Sequence, residues 1–226
     1  MELHGPSVGI GAGVTAAVIV AAFFALDIGQ GPEAELRTVQ PQTQLALYTE
    51  NGSPPLGDPG AAVTLVEFGD YQCFYCNQFF HDTEQAILDE YVSTGKVRMI
   101  FKDFTIIGPD SVAAAHGARC ADEQGSFWEY HDILYSRWAG ENTGWASAEN
   151  LLDMAGTAGL DVNAWGICMD EGRHEGALSA SNNDARSLGL TGTPAFFVID
   201  TDGGVTKIEG ARPYADFKAV LDSALA

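Results

Sequence analysis

AVTLVEFGDYQCFYC, residues 62–76, decides the fold. Ala62 to Phe68 is apolar and β-branched enough for a buried strand, and Gly69-Asp70 ends it. The spacing predicts a helix from about Cys73, with Tyr75, Phe79, Phe80, Ile87, Leu88 and Tyr91 on its apolar face and Gly95 just past its end. A C-x-x-C that follows a strand and opens a helix is the context of a redox pair. Two intervening residues let the sulfurs of Cys73 and Cys76 close a small disulfide ring across the first turn. Cys73 would face the unpaired amides and the positive end of the helix dipole, both of which favour thiolate, the form that exchanges with disulfides. The competing readings are half of a zinc site and a static disulfide. Zinc would need two further ligands, and Cys120 and Cys168 do not form a second close pair.

Outward from this segment, KVRMIF (96–101) reads as a second strand, parallel to the first through a right-handed crossover. From Pro109 to about Leu188 four patterns are helical: SVAAAHGARCADEQ, SFWEYHDILYSRW, SAENLLDMAGTAG and the run beginning VNAWGICMDEG. AFFVID (195–200) and VTKIEG (205–210) flank the turn Asp202-Gly203-Gly204 and make a hairpin. Tyr214 to Ala226 closes the chain as a helix, with Phe217, Val220, Leu221 and Leu225 on one side. The expected order is strand, helix, strand, a helical insertion at about 109–188, then hairpin and helix, an α/β domain over 62–226.

Towards the amino end, residues 27–61 carry PEAE, QPQTQ and GSPPLGDPG, the punctuation of a tether. Within it, Leu45 to Tyr48 has room for one short strand. Before the tether, VGIGAGVTAAVIVAAFFAL (8–26) holds no charged residue and matches the ~20 apolar residues that cross a bilayer as a helix. MELHGPS lacks the basic residues of a signal peptide and no clear cleavage site closes the apolar run, so 1–26 reads as a retained transmembrane anchor rather than a cleaved leader. Neither flank carries the basic cluster that would set its orientation.

With 11 basic and 31 acidic side chains, the net charge of −20 leaves no basic footprint for nucleic acid. The acidity is spread along the chain, as on a solvated surface whose self-repulsion salt would screen. A hydrophobic content of 46% argues against wholesale disorder. No phosphate-binding glycine loop appears, and no cofactor is implied.

VEFGDYQCFYC, ARCADEQGSFWEYHD and GTPAFF together resemble the DsbA-like branch of the thioredoxin superfamily, the thiol-disulfide oxidoreductases, over roughly 56–226. The resemblance implies a thioredoxin fold with a helical insertion. It also implies a cis-proline loop at Thr193-Pro194 lying against the cysteine pair. A proline that starts a strand leaves the backbone of the residue before it free to pair with an extended substrate; a proline that merely bounds the strand is the plainer reading. It further implies a buried acid at Glu67 that handles protons near the cysteines, with burial raising its pKa, against a partly exposed strand-end glutamate. Phe74 and Tyr75 stand where the most oxidising relatives have Pro-His, so Cys73 lacks a neighbouring imidazolium.

Cys120 and Cys168, 48 positions apart, either close a structural disulfide, which an even count in an exported domain favours, or stand as two buried thiols. His81, His116, His131 and His174 show no metal-ligand spacing, and Trp128, Tyr130, Trp138 and Trp145 read as helix packing. The leading expectation is a membrane-anchored, extracytoplasmic oxidase that passes its Cys73–Cys76 disulfide to exported proteins and is served by a membrane redox partner. The alternatives are a reductase or isomerase of the same fold, and a peptide-binding chaperone module whose groove beside Pro194 holds unfolded chains.

Overall fold

The computed structural model describes residues 41–226. The apolar stretch at 8–26 and the first part of the tether lie outside the described residues. Among the described residues no helix is long and apolar enough to cross a membrane.

Strand β1 (Val63–Gly69) is buried along its whole length and forms the centre of a four-stranded sheet in the order β2-β1-β3-β4. It pairs in parallel with β2 (Val97–Asp103) and antiparallel with β3 (Ala195–Ile199), which pairs antiparallel with β4 (Val205–Glu209). A strand buried on both faces must be apolar almost throughout, and β1 is, except at Thr64 and Glu67. Its pleat sends Val63 and Leu65 into a core with Phe79, Ile87, Phe196 and Phe217. Val66 and Phe68 enter the opposite core with Tyr48, Ile100 and Phe197. Glu67, two residues on from Leu65, therefore faces the same side as the helix that follows β1. The last strand residue is glycine because a Cβ at Gly69 would lie 2.4 Å from the ring of Phe101.

The helix after β1 is one continuous helical run, residues 74–92. It is α-helical at Phe74–Phe79 and Gln85–Ile87, with wider π turns at Phe80–Glu84 and Leu88–Val92. The π turns re-phase its buried face, so that neighbouring residues Thr83 and Glu84 are both inside. Tyr75, expected on the apolar face, is instead exposed, because Cys76 occupies the inward position of that turn.

The insertion comprises helices Pro109–Asp122, Phe127–Ser136, Ala148–Thr157, Val162–Asp170 and Glu175–Ser187. Its core joins the sheet at Phe101 and the cysteine pair at Cys73 and Cys76. Cys120 and Cys168 are bonded to each other, linking the first of these helices to the fourth. Helix Tyr214–Ala224 covers the first core.

The tether reading needs correction within 41–61. Pro41–Thr49 is a helix, and Leu45 to Tyr48 is not a strand. Proline is tolerated in the first helical turn, and the far end of this helix is held by a residue distant in sequence. The buried Lys102 ammonium donates to Leu47 O at 2.9 Å, to Glu50 O, and to Asp184 at 2.7 Å. Beyond the helix, Ser53 N donates to Phe101 O (2.8 Å) and Leu56 pairs with Met99, closing the free edge of β2.

β2 runs two residues past its apolar stretch, through Lys102 and Asp103, because both charges are buried with partners. Arg119 donates to Asp103 Oδ2 from Nε (2.9 Å) and Nη2 (2.6 Å), and to Gly52 O and Asn51 O at 2.6 and 2.8 Å. One guanidinium thus ties the insertion, β2 and the segment before β1. Arg119→Ala strands a buried carboxylate and is expected to cost roughly 3–5 kcal/mol in chemical denaturation; a loss within ±0.5 kcal/mol, the ordinary range for surface changes, would contradict this role.

Candidate functional site

The site forms where β1 gives way to the 74–92 helix. Asp70 organises the turn: its Oδ1 accepts from Gln72 N at 2.9 Å, and its Oδ2 from Ile106 N and Ile107 N at 2.8 and 3.0 Å. The loops after β1 and β2 are thereby locked together. Cys73, whose amide donates to Asp70 O, is the extended residue (φ −66°, ψ 125°) just before the first helical turn. Gln72 is fully buried and ties the site to the insertion. Its amide nitrogen donates to Ser111 Oγ, its Oε1 accepts from Asn142 N at 2.7 Å, and its carbonyl accepts from Trp138 Nε1 at 2.8 Å.

Cys73 and Cys76 are both present as thiols, and Cys73 Sγ donates to Thr193 O at 3.3 Å. The Thr193–Pro194 peptide is cis and leads directly into β3. The Cys73 thiol is lowered to about 6, first by a hydrogen bond from the Cys76 thiol, then by Thr193 and the amides of Cys76 and Tyr75; burial opposes them. Thr193 Oγ1 is buried with no other partner, so it can donate to the sulfur once the proton has left. Cys76 is pushed in the other direction, by burial, by its bond to Cys73 and by the nearby charges of Cys73 and Glu67. One sulfur is thus readied as thiolate and the other holds its proton. Among the described residues no Lys, Arg or His hydrogen-bonds either sulfur, and His131, beneath the site, is buried and held neutral with a pKa of about 3.

Glu67 is buried, and neither carboxyl oxygen has a partner. Burial first, then Glu84 and Cys73, raises its pKa well above the usual carboxylate range. The protonated carboxyl is the form this environment favours. Glu84 lies on the buried face two turns beyond Cys76 and is raised to about 8 by burial and by Asp132. Sequence reasoning missed Glu84, although its spacing from Cys76, Phe80 and Ile87 is that of an inward position. It also missed Gln72 and Glu141, whose partners are remote in sequence. Trp138, taken as packing, ties the insertion to Gln72 and packs tilted against Phe74, ring centroids 5.9 Å apart.

Of the residues expected at the site, Cys73, Cys76, Thr193, Pro194 and Glu67 come together. Phe74 and Tyr75 stand exposed beside them, their rings edge to face at 5.3 Å. A groove of about 220 Å³ runs along Thr193 and Pro194 and is closed on its other side by Lys207 and Glu209. His116 lies with Cys120 and Cys168, ligand atoms within 4.8 Å of one another, a grouping its sequence spacing concealed. The two sulfurs are spent on their mutual bond, so neither is a thiolate ligand there.

A family model described as Thioredoxin matches residues 49–223. The chain belongs to the thioredoxin family. It is 29% identical over 156 residues to a probable disulfide bond formation protein D of Bacillus anthracis, covering 67% of this chain and 72% of that protein. A thioredoxin-like oxidoreductase of Silicibacter pomeroyi matches in structure at a TM-score of 0.66 and 29% identity, over 79% of this chain and 94% of that one. The Na(+)/H(+) antiporter NhaA 3 of Salinispora tropica is 31% identical over 144 residues, 63% of this chain but only 21% of the antiporter. The chain spans about a fifth of that relative's length. This thioredoxin-family protein is a thiol-disulfide oxidoreductase with the helical insertion of the DsbA-like branch.

Because Glu84 keeps its proton in the folded protein up to about pH 8 but loses it near pH 4.3 when unfolded, stability falls as pH rises through that window. Glu84→Gln is expected to be the more stable protein at pH 8, the two converging below about pH 4.5. Denaturation midpoints across pH measure it; a variant less stable than wild type at pH 8 would contradict the assignment.

Proposed function

We propose that this oxidoreductase is an oxidase that works outside the cytoplasm and passes the Cys73–Cys76 disulfide to exported proteins. The observation that carries the reading is the asymmetry of the two sulfurs: Cys73 drawn to about 6 at the helix start, Cys76 raised. A thiolate stabilised in this way favours the reduced form of the pair, and so favours giving the disulfide away. In the forward step a client thiolate attacks Cys73 Sγ, the Cys73–Cys76 bond breaks, and Cys76 leaves as thiolate. Glu67, holding a proton beside it, is the acid that neutralises that charge. A second client thiolate then attacks the client sulfur of the mixed disulfide, and Cys73 leaves as thiolate. The client has lost two electrons and the pair has gained them, to be passed on to a membrane redox partner.

Thr193 O, beside Cys73 and at the mouth of the Pro194 groove, is placed to accept from an extended client backbone, and Phe74 and Tyr75 offer apolar contact. The chemistry asks for no cofactor. The apolar run at 8–26 supports anchorage of the domain to the membrane, and the Cys120–Cys168 disulfide supports an oxidising compartment.

Cys76→Ala removes the resolving thiol while leaving Cys73 able to exchange. In cells it is expected to accumulate mixed disulfides with client proteins that dissolve on addition of reductant, and Cys73→Ala is expected to form none. Absence of adducts from Cys76→Ala would overturn the assignment of these two cysteines.

A further inference from the structure

The insertion places a carboxylate on the first amide of the active-site helix. Phe74 N donates to Glu141 Oε1 at 3.0 Å. Phe74 is the residue directly after Cys73, and its amide belongs to the same unpaired first-turn set whose next members, at Tyr75 and Cys76, support the Cys73 sulfur. The segment bearing Glu141 is held on both sides. Trp138 Nε1 and Asn142 N both donate to Gln72, and Trp138 packs near Phe74. Gly140 and Asn142, flanking Glu141, both adopt left-handed backbone conformations, with φ of 107° and 55°. That turn is open to glycine and asparagine at little cost, and it brings Glu141 back over the helix start.

We propose that Glu141 sets the redox poise of the pair by placing a fixed negative charge at the helix start that competes with the Cys73 thiolate. In the oxidised protein Cys73 carries no charge, and the carboxylate caps the free amide without opposition. In the reduced protein the thiolate and the carboxylate share one helix end and repel each other. Glu141 therefore favours the oxidised form and restrains oxidising power, the opposite of what a cation between the cysteines would do. The other groups facing Cys73 are Cys76 on its own helix, Glu67 from β1 and the uncharged Thr193. On β4, Lys207 is paired with Glu209 at the far side of the groove. Glu141 touches neither sulfur, so its action is through the helix end alone.

The charge series Glu141→Gln and Glu141→Lys tests this in the full-length protein, since the glutamine keeps the acceptor oxygen and removes only the charge. The thiolate's ultraviolet absorbance against pH gives the Cys73 midpoint, and equilibration with glutathione gives the redox constant. Glu141→Gln is expected to lower the midpoint by about half a unit, less than the roughly 1–3 units of a close buried charge because Glu141 is exposed. That corresponds to a roughly threefold shift of the glutathione equilibrium toward reduced protein. Glu141→Lys is expected to move both further in the same direction. Glu141→Asp, tested for rescue, should lie nearer wild type than the glutamine does. Midpoints and constants that ignore the charge at this position, or move oppositely, would overturn the proposal. Failure of the Cys73 assignment itself would show separately, as the absence of any low thiolate titration in the wild type.

Discussion

At the end of β1 the backbone amides of one helical turn close on the sulfur of Cys73, and the surrounding structure holds that turn in place. Asp70 locks the loop before it to the loop after β2, and Gln72 ties it to the insertion by three hydrogen bonds. Thr193 meets the sulfur from the opposite side. The sheet supplies rigidity, with β1 buried on both faces and the edge of β2 covered by the segment around Leu56. Within that frame two cysteines of like composition acquire unlike chemistry, one at the helix mouth and one beneath it.

The price of this arrangement is a set of acids in places where charge is costly. Glu67 on β1 and Glu84 on the helix that follows it are both raised by burial, Glu67 further by Glu84 and Cys73, Glu84 further by Asp132. The domain accepts that strain beside the pair while satisfying its other buried charges directly, as at Lys102–Asp184 and Arg119–Asp103. Unpartnered buried polar atoms are uncommon in folded proteins, and both carboxyl oxygens of Glu67 and one of Glu84 are of this kind.

Strand β1, the C-x-x-C helix, the hairpin and the helical character of the insertion were legible in the sequence because each carries its own period or its own turn residues, although the run beginning VNAWGICMDEG, read as one pattern, divides into the helices Val162–Asp170 and Glu175–Ser187. What was not legible depended on partners far along the chain. Pro41–Thr49 folds as a helix because Lys102, more than fifty residues away, holds its end. The final residues of β2 are charged, and only the positions of Asp184 and Arg119 show why they can be buried. Tyr75 followed the apolar pattern yet projects outward, since the pattern does not say which residue of a turn faces the sheet. At the site, the cysteines and the Thr193-Pro194 loop announce themselves by motif. Glu141 and Gln72 have no local signature, because their roles exist only once the insertion folds back over the helix start.

A Cys73 thiolate stabilised without a neighbouring cation would make this pair an oxidant of intermediate strength. The most direct measurement is the reduction potential of Cys73–Cys76 in equilibrium with glutathione. The expected value lies between the potentials of thioredoxin and of the strongest oxidants of the superfamily, roughly −270 to −120 mV. A value more reducing than that of thioredoxin would contradict it and assign the protein to the reductive direction.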